Sequence, residues 1–206
     1  MDKMLYVAFA FVLVAPMSAQ SQIPASNLEQ SKVETKALIA AAGKGDLLQV
    51  QQLLKRGANP NVNDDNGETP LIAAAFRDNV EVVEILIAAK ADLNRKICGD
   101  GINPKSPYGP DGLCETALGI AAGWGNLKTM SALLRAGADP NLADKHGRTP
   151  LMAAANAAGK GSPSAVEILL KAGADTKRKD HEGGTVLSHA RNNPEVLEVL
   201  RRYGIR

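Results

Sequence analysis

The chain has 206 residues, with 24 lysines and arginines set against 22 aspartates and glutamates, for a formal net charge of +2. A balance this even leaves no concentrated basic stripe of the kind that nucleic-acid binding needs. There are only two cysteines in the chain; with no histidines near them they supply too few ligands for zinc, and their spacing excludes a Cys-x-x-Cys redox pair.

At the N-terminus, Lys3 precedes an apolar run from Leu5 to Val14, followed by Pro16 and the small residues Ser18, Ala19 and Ser21. This is the pattern of a secretory signal peptide over residues 1–21, with cleavage expected after Ala19 or Ser21. The run is well short of the roughly 20 apolar residues that a membrane-spanning helix needs. No cysteine follows it to carry a lipid. The expectation is a periplasmic or secreted protein with no membrane insertion after cleavage, monomeric when alone. Residues 22–34 read as an N-terminal capping segment, in which Ser26-Asn27-Leu28-Glu29 has the form of a capping box opening a polar-faced helix.

Beyond residue 35 the chain repeats itself. Leucines at 38, 71, 118, 151 and 187 head equivalent segments at intervals of 33, 47, 33 and 36 residues; removing insertions of 14 and 3 residues restores a period of 33 throughout. A fixed period of this size is the mark of a solenoid, which builds an extended surface rather than a pocket for chemistry. Gly67-Glu68-Thr69-Pro70-Leu71-Ile72-Ala73-Ala74-Ala75 is echoed by Gly147-Arg148-Thr149-Pro150-Leu151-Met152-Ala153-Ala154-Ala155. Each threonine can cap a helix whose first position the proline takes, because proline there gives up only an amide that lacks an intrahelical partner anyway. The pairs Leu53-Leu54, Leu86-Ile87, Leu133-Leu134 and Leu169-Leu170 are expected to fill the space between layers. Gly57-Ala58-Asn59, Lys90-Ala91-Asp92, Gly137-Ala138-Asp139 and Gly173-Ala174-Asp175 then end the second helix of each unit, the glycine serving as a left-handed cap.

These segments closely resemble ankyrin repeats over residues 35–206. The resemblance implies an all-α solenoid of about five helix-turn-helix units, near 35–66, 67–97, 115–146, 147–180 and 183–206, with a long inserted finger at 98–114. The first and last units look like caps. The position after the leading leucine, usually histidine in ankyrins, holds Ile39, Ile72, Gly119, Met152 and Ser188, so the family's threonine–histidine brace is missing.

Cys98 and Cys114 bracket the insertion. In an exported chain they are placed to pair as a disulfide, the alternative being two free thiols. Lys177-Arg178-Lys179 is followed at once by Asp180 and Glu182 and reads as a solvated turn. His146 and His181 stand at similar places on successive turns, without further ligands to make a metal site. Gly43-Lys44-Gly45 and Gly159-Lys160-Gly161 lack the full phosphate-loop frame and read as loops between paired helices. No catalytic constellation is legible, and neither an enzyme activity nor a cofactor is expected.

Aromatic residues carry the functional expectation. Past residue 21 only Phe76, Tyr108, Trp124 and Tyr203 remain. The family register places Phe76 with Arg77, and Trp124, at the ends of first helices facing the concave groove, with Tyr108 in the finger between the same two repeats. Aromatic residues and arginine most often dominate interface energy, so Phe76, Arg77, Tyr108 and Trp124, with Asn156, Lys145 and His146 one repeat further on, are the expected partner-binding residues. The other reading is that Phe76 and Trp124 fill the gap between adjacent first helices. The expected partner is another protein. Exported bacterial ankyrin proteins resemble two functional groups, immunity proteins that neutralise a toxin delivered into the periplasm and accessory proteins that support an exported enzyme such as a catalase.

Overall fold

The computed structural model describes residues 25–65, 67–96, 115–156 and 162–206. Ten helices follow one another among these residues: α1 (Ala25–Lys44), α2 (Leu47–Lys55), α3 (Pro70–Phe76), α4 (Val80–Ala88), α5 (Ala117–Trp124), α6 (Leu127–Arg135), α7 (Pro150–Ala155), α8 (Pro163–Lys171), α9 (Val186–Ala190) and α10 (Pro194–Arg202). They pair in sequence. The first members, α1, α3, α5, α7 and α9, pack in one row, and the second members, α2 to α10, in a parallel outer row. This is the expected all-α solenoid.

Local chemistry starts and stops each inner helix. Thr69, Thr116 and Thr149 accept the amides of Ile72, Gly119 and Met152 at 3.3, 3.1 and 3.4 Å. All three threonines are buried, so the hydroxyl satisfies an amide that water does not reach. In the last unit Thr185 and Ser188 form a capping box, in which the Ser188 Oγ accepts the Thr185 amide and donates to the Thr185 carbonyl, both at 2.8 Å.

Two outer helices, α4 and α6, are anchored to the preceding unit rather than capped by their own N-cap side chains. Asn79 and Asn126 stand at the N-caps of α4 and α6 but make no side-chain cap. Instead Asn79 Nδ2 donates to the Ala42 and Gly43 carbonyls at 2.9 and 3.0 Å, and Asn126 Nδ2 to those of Ala75 and Phe76 at 2.8 and 3.4 Å. Each asparagine thereby satisfies carbonyls left over at the end of the previous inner helix. A second ladder runs through the turns after the outer helices. Asn61, Asn94 and Asn141 accept the amides of Asp92, Asp139 and Asp175, each in the next unit, at 2.6, 3.0 and 2.7 Å. The ladder ends where Lys177 replaces the asparagine.

Three fingers among the described residues are tight turns closed by an aspartate and a left-handed glycine. Gly67, Gly147 and Gly183 have φ of 77°, 79° and 81°. Gly147 is constrained twice, because a Cβ there would also stand 2.7 Å from the His181 ring. His146 and His181 meet through backbone, the His181 amide donating to the His146 carbonyl at 2.8 Å, and no group of three or more metal-ligating side chains occurs among the described residues. Lys177, Arg178 and Lys179 are exposed.

Four details depart from the sequence reading. The capping segment and the first inner helix are one 20-residue helix that includes Ser26, and no proline or glycine interrupts the chain from 25 to 42. Lys44 likewise belongs to the end of α1 rather than to a loop. Of each paired apolar couple only the first is a core residue: Leu53, Leu86, Leu133 and Leu169 are buried, whereas Leu54, Ile87, Leu134 and Leu170 are half-buried. One helix face can point into the inter-row space, and a neighbour 100° further round points along its rim. Finally, Leu38, Leu71, Leu118 and Leu151 are wholly buried but Leu187 is half-buried. Leu187 lies in the last described unit, where among the described residues α9 packs against an inner helix on one side, α7.

Candidate protein-binding surface

The inner row ends on one side in α-helix C-termini, and three of the expected residues meet there. The Phe76 and Trp124 rings stand edge to face, centroids 5.0 Å apart at 83°, and the Arg77 guanidinium lies over the Phe76 ring at 5.1 Å. Trp124 packs against the neighbouring inner helix through Phe76 and still exposes 49% of its surface. Its sequence neighbours explain the exposure. Gly123 has no side chain, and Gly125 turns the chain away in the left-handed region at φ 71°. The aromatic pair is itself worth about 1 kcal/mol beyond the area it buries, which orders the indole in advance of any partner.

Asn156 ends α7, at the same edge one unit along. Lys145 and His146 lie elsewhere. They sit exposed in the finger before the N-terminus of α7, so the length of that helix, roughly 9 Å, separates them from Asn156. The structure therefore divides the expected set into an aromatic edge and a finger edge facing each other across the inner row. Tyr108, Cys98 and Cys114 lie outside the described residues.

Two charged clusters that the sequence reading did not single out support the fingers. Asp144 accepts the amides of His146 and Arg148 at 2.8 Å each and pairs with the Arg148 side chain at 2.7 Å. Beside it sits Glu115, whose carboxyl is pushed up to about 7 by burial first and then by the Asp144 charge, with Arg148 offsetting part of the rise. In the next finger Asp180 takes the same structural place, but Gly184 stands where Arg148 stood, and His189 Nε2 reaches the carboxylate instead at 2.7 Å. Burial works against the Asp180 charge, yet hydrogen bonds from His189 and the Gly184 and Glu182 amides hold its carboxyl below the usual range. The Asp-x-x-Gly spacing was visible in sequence; the side chain that completes each brace was not.

Matching these helix pairs, a family model described as "Ankyrin repeats (3 copies)" covers residues 16–97, 97–180 and 118–206. The chain belongs to the ankyrin repeat family. Among curated relatives, this ankyrin chain is 36% identical over 111 residues to "Ankyrin repeat and SOCS box protein 3" of Homo sapiens, a match covering 54% of this chain and 19% of the relative. It is 33% identical over 121 residues to "Ankyrin repeat and KH domain-containing protein mask-1" of Caenorhabditis elegans, covering 59% and 4%. To "SH3 and multiple ankyrin repeat domains protein 2" of Homo sapiens it is 36% identical over 108 residues, covering 52% and 5%. The chain thus spans less than a fifth of the length of these three relatives, and what they share with it is the repeat.

Proposed function

We propose that this ankyrin-repeat protein is a non-catalytic protein-binding module that works outside the cytoplasm, holding a partner protein against the aromatic edge of its inner helices. The observation that carries the reading is Trp124, ordered by Phe76 yet half exposed beside Arg77. A half-exposed, pre-ordered indole flanked by arginine is the composition of an interface hot spot. Export rests on the apolar run behind Lys3 and the small residues near Ala19.

Two biological settings suit an exported binding module: neutralising a toxin delivered into the periplasm, or supporting an exported enzyme such as a catalase. A disulfide between Cys98 and Cys114 belongs to the same reading. It is supported by the isolated antiparallel bridge that sets Lys96 beside Thr116, each two residues in sequence from one of the cysteines that bracket the insertion. Closing a loop of this length stabilises by ~3 kcal/mol in the chain-entropy model.

The test is affinity purification from periplasmic extract with native protein and the Trp124→Ala variant. One partner retained by the native chain and lost from the variant, with the variant still folded by its thermal transition, supports the surface; equal retention by both removes it. Mass spectrometry of the native protein should find a mature N-terminus at Gln20 or Gln22 and a crosslinked Cys98–Cys114 peptide. Intact Met1 in the cytoplasm would sink the export reading, and two alkylatable thiols in periplasmic protein would sink the crosslink.

A further inference from the structure

The aromatic edge continues into a trough between the first two units. One face of α1 supplies Lys36, Ile39, Ala40, Gly43 and Lys44, spaced three and four residues apart as a helix face requires. Toward the helix C-termini, Ile39, Gly43, Ala73 and Phe76 enclose a cleft of ≈ 430 Å³ whose rim carries Lys44 and Arg77. Toward the finger, Ile39 and Ala40 continue as the floor of a second cleft of ≈ 400 Å³, edged by Lys36, Asp64, Asp65 and Glu68. Ile39, Ala40 and Glu68 line both, so the two form one trough.

Charge is distributed along it with a sign change. The finger end holds the Asp64 and Asp65 carboxylates and one cation, Lys36, which pairs with Asp65 at 3.9 Å, and the Glu68 carboxylate stands at the join of the two clefts. The helix end holds two exposed cations, and no carboxylate of the described residues forms an ion pair with Lys44 or Arg77. Nor are these cations occupied in capping the helices they terminate. The Ala42 and Gly43 carbonyls beside Lys44 are taken by Asn79, and the Ala75 and Phe76 carbonyls beside Arg77 by Asn126. The Arg77 guanidinium also lies over the Phe76 ring at 5.1 Å, a contact that restrains it and lowers the ordering cost of meeting a carboxylate.

We infer that this trough takes an extended segment of the partner protein carrying an acidic residue at the Lys44–Arg77 end, a small or medium apolar residue over Ile39 and Ala40, and a basic residue at the Asp64–Asp65 end. The inference deepens the protein-binding reading and rests on it. From Lys36 to Lys44 the α1 face is roughly 12 Å long, so the acidic and basic residues stand about four apart in an extended chain rising about 3.3 Å per residue. The opposed charges at the two ends fix the segment's direction, since reversal would set like charges together at both.

The experiment selects random peptides displayed on phage against the full chain and measures the enriched peptides by the fluorescence of Trp124, the single tryptophan of the protein. The expected result is enrichment of sequences with acidic and basic residues about four positions apart around an apolar centre. Their binding should fall about tenfold or more in Arg77→Glu and Lys44→Glu, and weaken at high salt. A peptide whose acid is replaced by lysine should recover binding to Arg77→Glu alone, a gain that a misfolded variant would not give. Enrichment of neutral sequences, of uniformly basic ones, or of none overturns the inference, as does binding indifferent to both charge reversals. If the natural partner is lost with Trp124→Ala but kept with Arg77→Glu, the binding surface stands and the charged trough falls; if both variants keep it, both readings fall.

Discussion

Glu115 makes the stability of this protein depend on pH in an unusual direction. Its carboxyl rises from 4.5 to about 7 on folding, chiefly because it is taken out of water and secondarily because Asp144 is charged beside it. A folded-state value above the unfolded one means that the native chain binds the proton more tightly. The stabilising contribution is therefore complete below about pH 4.5 and is lost as pH rises through about 7. At about 1.4 kcal/mol per pH unit the interval is worth about 3 kcal/mol, and residual solvent at this half-buried group lowers the figure to about 2 kcal/mol. Glu115→Gln keeps the shape and hydrogen-bonding capacity while removing the charge. Urea unfolding of both proteins at about pH 5 and about pH 8 should give nearly equal stabilities in acid and a variant more stable by about 2 kcal/mol in base. A native–variant difference that is the same at both pH values would refute the argument, because no proton would then be linked to folding at this site.

Leu133→Ala should cost about 2–5 kcal/mol by opening a cavity between the rows, whereas Trp124→Ala should cost about 1–2 kcal/mol through the lost Phe76 contact and weaken partner binding by about 2 kcal/mol or more; calorimetric unfolding and titration of the purified partner separate the two, and a variant that loses stability without losing affinity would make Trp124 packing material. Lys90 holds φ 65° where Gly57, Gly137 and Gly173 stand in the other units, so Lys90→Gly should raise stability by about 0.5–1 kcal/mol, read from the urea midpoint; a fall would show that the lysine side chain contributes more than its backbone costs. His189→Ala should cost about 1–2 kcal/mol near neutral pH by removing the bond to the Asp180 carboxylate. Because that carboxyl is held below its ordinary value, its contribution is present above the unfolded value and disappears as pH falls through the folded one. Native and variant should therefore converge in acid, and a constant gap down to the acid transition would contradict the linkage.

The period, the number of units and the helix starts were legible in the sequence because each depends on residues a few positions apart. Thr69-Pro70 fixes a helix start through one hydroxyl and one ring, and Gly67 or Gly147 fixes a turn through its own φ. Such determinants recur with every unit, so the chain states them several times over. Part of the candidate surface was legible for the same reason: Phe76, Arg77 and Trp124 end inner helices in the repeat register, and the structure brings these three together. What only the tertiary structure decided involves partners from different units. Leu133 is buried and Leu134 only half-buried because the inner row lies on one side of α6. Asn79 and Asn126 look like helix caps yet bond to carbonyls of the preceding unit. Asp144 and Asp180 occupy equivalent turns but draw their braces from Arg148 and His189, at different distances along the chain. Lys44, unremarkable in a Gly-Lys-Gly run, becomes half of a cationic rim only when α1 is laid against α3. Backbone conformation follows from neighbours in sequence, whereas burial, ion pairing and the shift at Glu115 follow from distances that stacking alone sets.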